Sequence, residues 1–155
     1  MARLSDFSPQ EQEHHLQKIR DLPDFGDTPY APGPTLNRRR VALVGTSGVH
    51  VRGDQAFDIG EAGYRVIPGD TPPQDLLMSH SSVNFDRSGF QEDVNVVFPL
   101  QRLRELAADG VIGSVADFHY AFMGAASIRA MAPAAKALAG LLKKDRVDAV
   151  VLLPV

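Results

Sequence analysis

Apolar residues along the chain gather in short blocks separated by polar, glycine-rich or proline-rich stretches, and their spacing changes from block to block. Val41-Ala42-Leu43-Val44 is a continuous apolar run of the kind a parallel strand buried on both faces requires, and it stops at Gly45-Thr46-Ser47-Gly48. Tyr64-Arg65-Val66-Ile67 predicts a weaker strand closed by Pro68-Gly69-Asp70. Leu100, Leu103 and Leu106 recur at helical spacing after Pro99, and Gly110 suits the position just past a helix end. Val111 to Phe118 reads as another strand. Ile128, Met131, Ala135, Leu138, Leu141 and Leu142 follow the helical period between Ala126 and Lys144, with Pro133 either a kink or the first turn of a second helix. A β-branched run, Val147 to Leu153, leads into Pro154-Val155. Between these blocks, Thr71 to Phe98 is polar and without a sustained period, longer than the usual connection in a compact domain and so a candidate functional loop.

Ahead of this pattern, Ser8-Pro9-Gln10-Glu11 combines an N-cap hydroxyl, a proline at the first helical position and a carboxylate three residues after the cap, predicting a helix to about Arg20. Its apolar stripe is only Leu16 and Ile19, with Leu22 just beyond, as for a helix that packs across another surface. Pro23, Pro29, Pro32 and Pro34 then mark an arm. The expected organisation is an N-terminal helix and arm over 1–37 and an α/β domain over 38–155. Strands alternating with helices predict a three-layer, mainly parallel, Rossmann-like sheet whose last strand lies at the chain end. Such sheets bind ligands at the carboxyl ends of their strands.

With 155 residues, 44% apolar and 23% charged, the chain suits one ordinary domain. Sixteen basic against nineteen acidic residues give a net charge of −3, which disfavours a general nucleic-acid or anionic-membrane binder. There is no cysteine, so disulfide scaffolds, cysteine-ligated zinc and thiol chemistry within the chain are excluded. The first 16 residues lack a signal-peptide core, and the expected location is the cytoplasm.

Candidate chemistry gathers where strands should give way to loops. Gly45-Thr46-Ser47-Gly48 would cradle a carboxylate or phosphate through backbone N–H groups and the hydroxyls of Thr46 and Ser47, or else forms a plain tight turn; it has neither the lysine of a P-loop nor dinucleotide spacing. His50, two residues on, is a candidate proton donor or a surface or second-layer histidine. His80, Ser81, Ser82, Asn84 and Asp86 bring donors and acceptors together in the long loop, as a small zwitterionic substrate or a subunit interface would need, although Asn84 and Asp86 also suit local turns. His119-Tyr120 is expected to end a strand at the active edge, His119 being either a supporting catalytic group or a satisfied core histidine. His50, His80 and His119 have no ligand spacing, and no metal is expected.

Thr71-Pro72-Pro73, the run Ser79-His80-Ser81-Ser82-Val83-Asn84-Phe85-Asp86-Arg87 and the run from Phe90-Gln91-Glu92-Asp93 to Phe98-Pro99-Leu100 resemble the selenoprotein B family of glycine/sarcosine/betaine/D-proline reductases. The resemblance continues through Gly113-Ser114-Val115-Ala116, His119-Tyr120-Ala121-Phe122-Met123-Gly124 and Val147 to Val155, covering roughly 40–155, and the layout is that of the short D-proline reductase type. It implies an oxidoreductase subunit whose redox residue, selenocysteine or cysteine, directly follows the strand that corresponds to Val147–Val155. Because selenocysteine is encoded by a codon otherwise read as stop, a translation without recoding would end at Val155, and the C-terminal part of the domain would be missing. The resemblance further implies a partner subunit carrying a pyruvoyl group, a small amine or amino-acid substrate, reductive cleavage of its C–N bond and a dithiol reductant. Read without the resemblance, the last strand, with nothing after it to cover one face, is either an ordinary terminal strand or the end of a truncated reading frame, and the alternative function is a non-catalytic α/β module that binds a small amino acid or a partner subunit.

Overall fold

A computed structural model of the chain describes residues 3–27, 30–81 and 86–154. These fall into two units, one ending at Tyr30 and one starting at Ala31. In the first, α1 (Pro9–Arg20) begins as its sequence predicts: Glu11 N donates to Ser8 Oγ at 3.4 Å and Ser8 N donates to the Glu11 carboxylate at 3.0 Å.

The second unit contains β1 (Arg40–Gly45), β2 (Val49–Val51), β3 (Tyr64–Pro68), β4 (Leu76–Met78), α2 (Ser88–Glu92), α3 (Leu100–Ala108), β5 (Ser114–Val115), β6 (Phe118–Phe122), α4 (Ile128–Lys144) and β7 (Ala149–Leu153). β1 is central. β7 runs parallel along one side of it, and β5 followed by β6 runs parallel along the other, with β3 antiparallel outside β6. A separate antiparallel pair joins β2 to β4.

Alternation along each strand sorts the side chains into two layers. Val41, Leu43, Ile67 and Ala121 face one way and pack with Phe98, Leu100 and Leu103 on the α3 side. Val44, Tyr64, Tyr120 and Phe122 face the other way and meet Met131, Ala134, Leu138 and Leu142 of α4. Helices therefore cover both faces of a mostly parallel sheet, as the sequence predicts. Pro133 lies within α4, which runs through it as one helix capped by Ser127, whose Oγ accepts from Ala130 N at 3.3 Å. Among the described residues no helix is long and apolar enough to cross a membrane.

Three expectations are corrected. The stretch 71–98 is built from short elements, β4, α2 and the 3-10 turns Pro73–Asp75 and Val94–Val96, each of three to five residues and so below the length at which a period shows. β2 is equally short and lies where the sequence shows only a loop. The strand expected over Val111–Phe118 starts later: Val111 and Ile112 close α3 by donating to the Leu106 carbonyl at 2.9 and 3.3 Å, and Ile112 is a core residue. Gly110 supplies the left-handed residue of that closure, with φ at +70°.

His119 is consequently the second residue of β6 and not a strand end. Its setting follows from a bulge. Arg40 pairs with Ser114, but Val44, four residues on, pairs with Tyr120, six residues on, so Ala116 and Asp117 are extra in the β5–β6 side of the ladder. The Asp117 carbonyl turns away to accept Gly69 N at 2.7 Å, and Leu43 N donates instead to His119 Nδ1 at 2.9 Å. That bond requires a neutral ring with its proton on Nε2, and Nε2 is buried without a hydrogen-bond partner among the described residues, the ring standing edge-on to Phe98 with the centres 6.3 Å apart.

Burial, with Arg104 and Arg40 acting in the same direction against Asp145, pushes His119 down to about 4. A group whose folded value lies below its unfolded value of about 6.5 favours folding fully above pH 6.5, and the contribution fades as pH falls toward 4. Over that window the wild-type protein is expected to lose about 3 kcal/mol through this residue. Urea unfolding of wild type and His119→Gln across pH 4 to 7 measures it: the amide oxygen can still accept from Leu43 N but does not titrate. Parallel pH profiles for the two proteins would refute the assignment.

Candidate functional site

Because β1, β6 and β7 are parallel, their carboxyl ends meet at one edge of the sheet. The turn Gly45–Gly48 ties them together. Thr46 N donates to the Leu153 carbonyl of β7 at 3.0 Å, Thr46 Oγ1 reaches the same oxygen at 3.4 Å, and Gly48 N donates to the Phe122 carbonyl of β6 at 2.9 Å. Ser79 N, just past β4, donates to the Gly48 carbonyl at 3.0 Å.

Two glycines permit this closeness. Gly48 has φ at +68°, and a Cβ there would lie 2.8 Å from His80 N. Gly124 has φ at +88°, and a Cβ there would run into the Thr46 carbonyl oxygen.

The structure thus brings Thr46, Ser47, His50, His80 and Ser81 into one cluster around Gly48. Ser47 is fully buried, and its hydroxyl has no hydrogen-bond partner among the described residues. His50 on β2 is nearly buried, its Nδ1 3.3 Å from the Gly48 carbonyl, to which it donates, and 3.4 Å from Ser79 Oγ. Its ring stands edge-on to Phe57 at 6.4 Å. His80 is buried, and its carbonyl accepts from the Arg87 guanidinium at 2.6 Å. Burial, helped by the charge of Arg87, lowers the His80 pKa and favours the neutral ring at pH 7. Ser81 Oγ donates to Met123 Sδ at 3.2 Å.

Ser82 and Asn84 fall outside the described residues. Asp86 is exposed and spends its carboxylate on the Ser88 amide at 2.9 Å, which lowers its pKa and opens α2. The ring of His119 sits in the sheet interior beside Phe98, with Nδ1 taken by the Leu43 amide. Among the described residues no three metal-ligating side chains assemble. A cavity of about 450 Å³ between the end of β3 and the start of β6 lies at the opposite edge of the sheet, and its one paired acid, Asp117, already bonds Arg40 at 2.8 Å.

Sequence reasoning did not assign roles to Met123, Ser79 or Arg87, which shape the cluster. Met123 is fully buried directly after β6, and the signal for it was the Met-Gly step that follows the strand. Ser79 and Arg87 flank the polar run 80–86; the Ser79 amide and the Arg87 guanidinium each bond a main-chain carbonyl, of Gly48 and of His80, and a carbonyl partner is not something residue type reveals.

Over residues 21–154 the chain matches the family described as glycine/sarcosine/betaine reductase selenoprotein B. It is 36% identical over 120 residues to the D-proline reductase subunit gamma of Acetoanaerobium sticklandii, covering 76% of this chain and 49% of that protein. To the glycine reductase complex component B subunit gamma of Carboxydothermus hydrogenoformans it is 30% identical over 143 residues, covering 84% of this chain and 32% of the relative. The corresponding subunit of Symbiobacterium thermophilum is 31% identical over 140 residues, with 84% and 32% covered. The chain therefore spans about half the length of the first relative and about a third of the other two. No solved structure matches it.

Proposed function

Because the chain belongs to the glycine/sarcosine/betaine reductase selenoprotein B family, we propose that it is the front part of a reductase subunit that cleaves a C–N bond of a small amine or amino acid, with the nucleophile immediately after Val155. The observation that carries this reading is the bond from Thr46 N to the Leu153 carbonyl. Residues following β7 would emerge against the Gly45–Gly48 turn, beside which the His50 ring and the His80 main chain lie. A selenol or thiol there would supply the nucleophile, and a helix opening after β7 would turn its free N-terminal N–H groups toward it and favour its anionic form.

The residues present suit that arrangement. Gly48 and Gly124 have no side chains to obstruct the turn, and the buried Ser47 hydroxyl retains an unused donor and acceptor. In this reading Thr46 and Ser47 orient the carboxylate of a small zwitterionic substrate, and Ser81 completes the polar wall. Ser82, Asn84 and Asp86 extend the same recognition segment. His80, whose pKa burial lowers, and His50 beside the Gly48 carbonyl take or return a proton at the leaving amine. His119 acts only through the sheet that carries the turn. A pyruvoyl-bearing partner subunit and a dithiol reductant complete the reaction, and the cytoplasm is its setting.

The test is the nucleotide sequence after the Val155 codon together with the mass and selenium content of the protein from its own host, grown with selenium. An open frame beyond a recoded codon and a longer, selenium-containing product are expected, while the 155-residue chain alone, having no cysteine, gives no reductase activity. An ordinary stop codon with no frame beyond it, and an intact mass matching 155 residues, would overturn the proposal and leave a ligand-binding module.

A further inference from the structure

Resting on the reading of this chain as part of a longer subunit, we propose that β7 and the adjoining flank of α4 form a shelf that seats an amphipathic helix with an acidic margin, supplied by the remaining half of that subunit. β7 pairs with β1 along one side, and among the described residues no strand pairs with its other side. Val150 and Leu152 stand opposite Ala42 and Val44 in the register, and Val44 packs under α4, so both point to the α4 face of the sheet. On that face Tyr120 and Phe122 are 2% and 4% exposed, whereas Val150 is 37% and Leu152 71% exposed. α4 covers β6 and β1 and leaves β7 bare.

The helix itself shows which flank overlooks the bare strand. Leu141 and Lys144 share a cavity of about 290 Å³ with Phe118 and Tyr120, which sets that flank over β6. The opposite flank, exposed and on the β7 side, carries Ile128, Ala132, Ala135 and Ala139. Three alanines in a row of this kind let a second helix approach to about 8 Å, and the leucine and valine of β7 supply its apolar floor. Lys136 and Lys143 stand along the outer margin, where carboxylates on the incoming helix would face them.

Topology points to the same face. Crossovers between parallel strands are right-handed, and the step from β6 over β1 to β7 runs outward with α4 on this face. A helix leading from β7 to a strand on its open side repeats that step and falls beside α4. The matched relatives are longer than the part aligned with this chain, 49% of the first and 32% of the second being covered, and a longer subunit has room for such a helix and strand.

The experiment compares the 155-residue chain with the full product of its gene, the recoded position made cysteine, by hydroxyl-radical footprinting and hydrogen exchange. Oxidation of Ile128, Val150 and Leu152 is expected to fall several-fold in the longer protein, and the amides of β7 to exchange slower by about tenfold or more. Val66, on β3 at the other edge, keeps its reactivity. Ala135→Trp in the longer protein fills the shelf and returns Leu152 to the reactivity it has in the short chain. Equal oxidation of Val150 and Leu152 in the two proteins overturns the proposal. So does protection of these residues in the short chain sedimenting as a dimer, which would make a second copy the occupant. If no frame follows Val155, it is the subunit reading that fails, and sequencing shows this before any footprint is taken.

Discussion

Replacing Arg40 with methionine is expected to destabilise the protein by about 3–5 kcal/mol, the range found when one partner of a largely buried ion pair is removed. The guanidinium donates to the Asp145 carboxylate at 2.5 Å, to the Asp145 carbonyl at 2.8 Å and to the Val115 carbonyl at 2.7 Å, so it ties the start of β1 to the end of α4 and to β5. The other Asp145 oxygen accepts the amides of Asp117 and Phe118 at 2.9 and 3.3 Å. Only 10% of the Asp145 side chain and 20% of that of Arg40 reach solvent. Burial pushes the Asp145 carboxyl up, but Arg40 and the two amides outweigh it and hold the pKa below its ordinary value. A depressed carboxylate stabilises the fold above its unfolded pKa, near pH 4, and that contribution disappears as pH falls through the folded value. In Arg40→Met the unpaired Asp145 loses this acid-side contribution as well as the bridge. Urea unfolding at pH 7 measures the loss, and the double variant Arg40→Met/Asp145→Leu should lose less than the two single variants together. A single variant within about 1 kcal/mol of wild type would show that the clasp is incidental. The bridge from Arg40 to Asp117, whose side chain is 73% exposed, contributes little by comparison.

Gly124→Ala should have an effect of similar size at the opposite edge. A φ of +88° disfavours any side chain, at about 1–2 kcal/mol, and the new Cβ would meet both the Thr46 carbonyl and, at 3.0 Å, Thr46 Cβ. Relief requires the turn to withdraw, which breaks the bonds from Thr46 N to Leu153 and from Gly48 N to Phe122 and brings the total to about 2–5 kcal/mol. Gly140 provides the control. It lies in α4 with nothing near its missing Cβ, so Gly140→Ala should be neutral or stabilising by up to about 1 kcal/mol. Thermal unfolding of the two variants separates them; equal stability would mean that the turn is not held against β6 as described.

The main strands and long helices were legible because their side-chain periods extend over enough residues to be seen. Val41 to Val44 and the spaced apolar residues of α4 each repeat a pattern set by one buried face. β2, β4 and α2 were not legible, since three to five residues carry no period, and their existence depends on pairing partners distant in sequence, as Val49 with Met78. The turn at Thr46 and Ser47 could be placed from the end of an apolar run, but its meeting with His80 could not, because that contact is made by a Gly48 backbone position in the left-handed region. His119 shows the reverse limit. A histidine near a strand end resembles a catalytic group in sequence, and only the ladder reveals that its ring takes the place of a missing carbonyl.

The extra pair Ala116–Asp117 also bears on how this strand tolerates change in length. Two residues added to a strand leave the inside–outside order of everything after them intact, whereas one would send Tyr120 and Phe122 to the α3 layer and His119 and Ala121 to α4. The insertion therefore leaves only a local defect, one amide of β1 without an acceptor, and a single imidazole mends it. Reading frames of this domain can thus gain or lose residues here in even steps while both helical layers stay in place, provided that a side chain able to accept a hydrogen bond remains opposite Leu43.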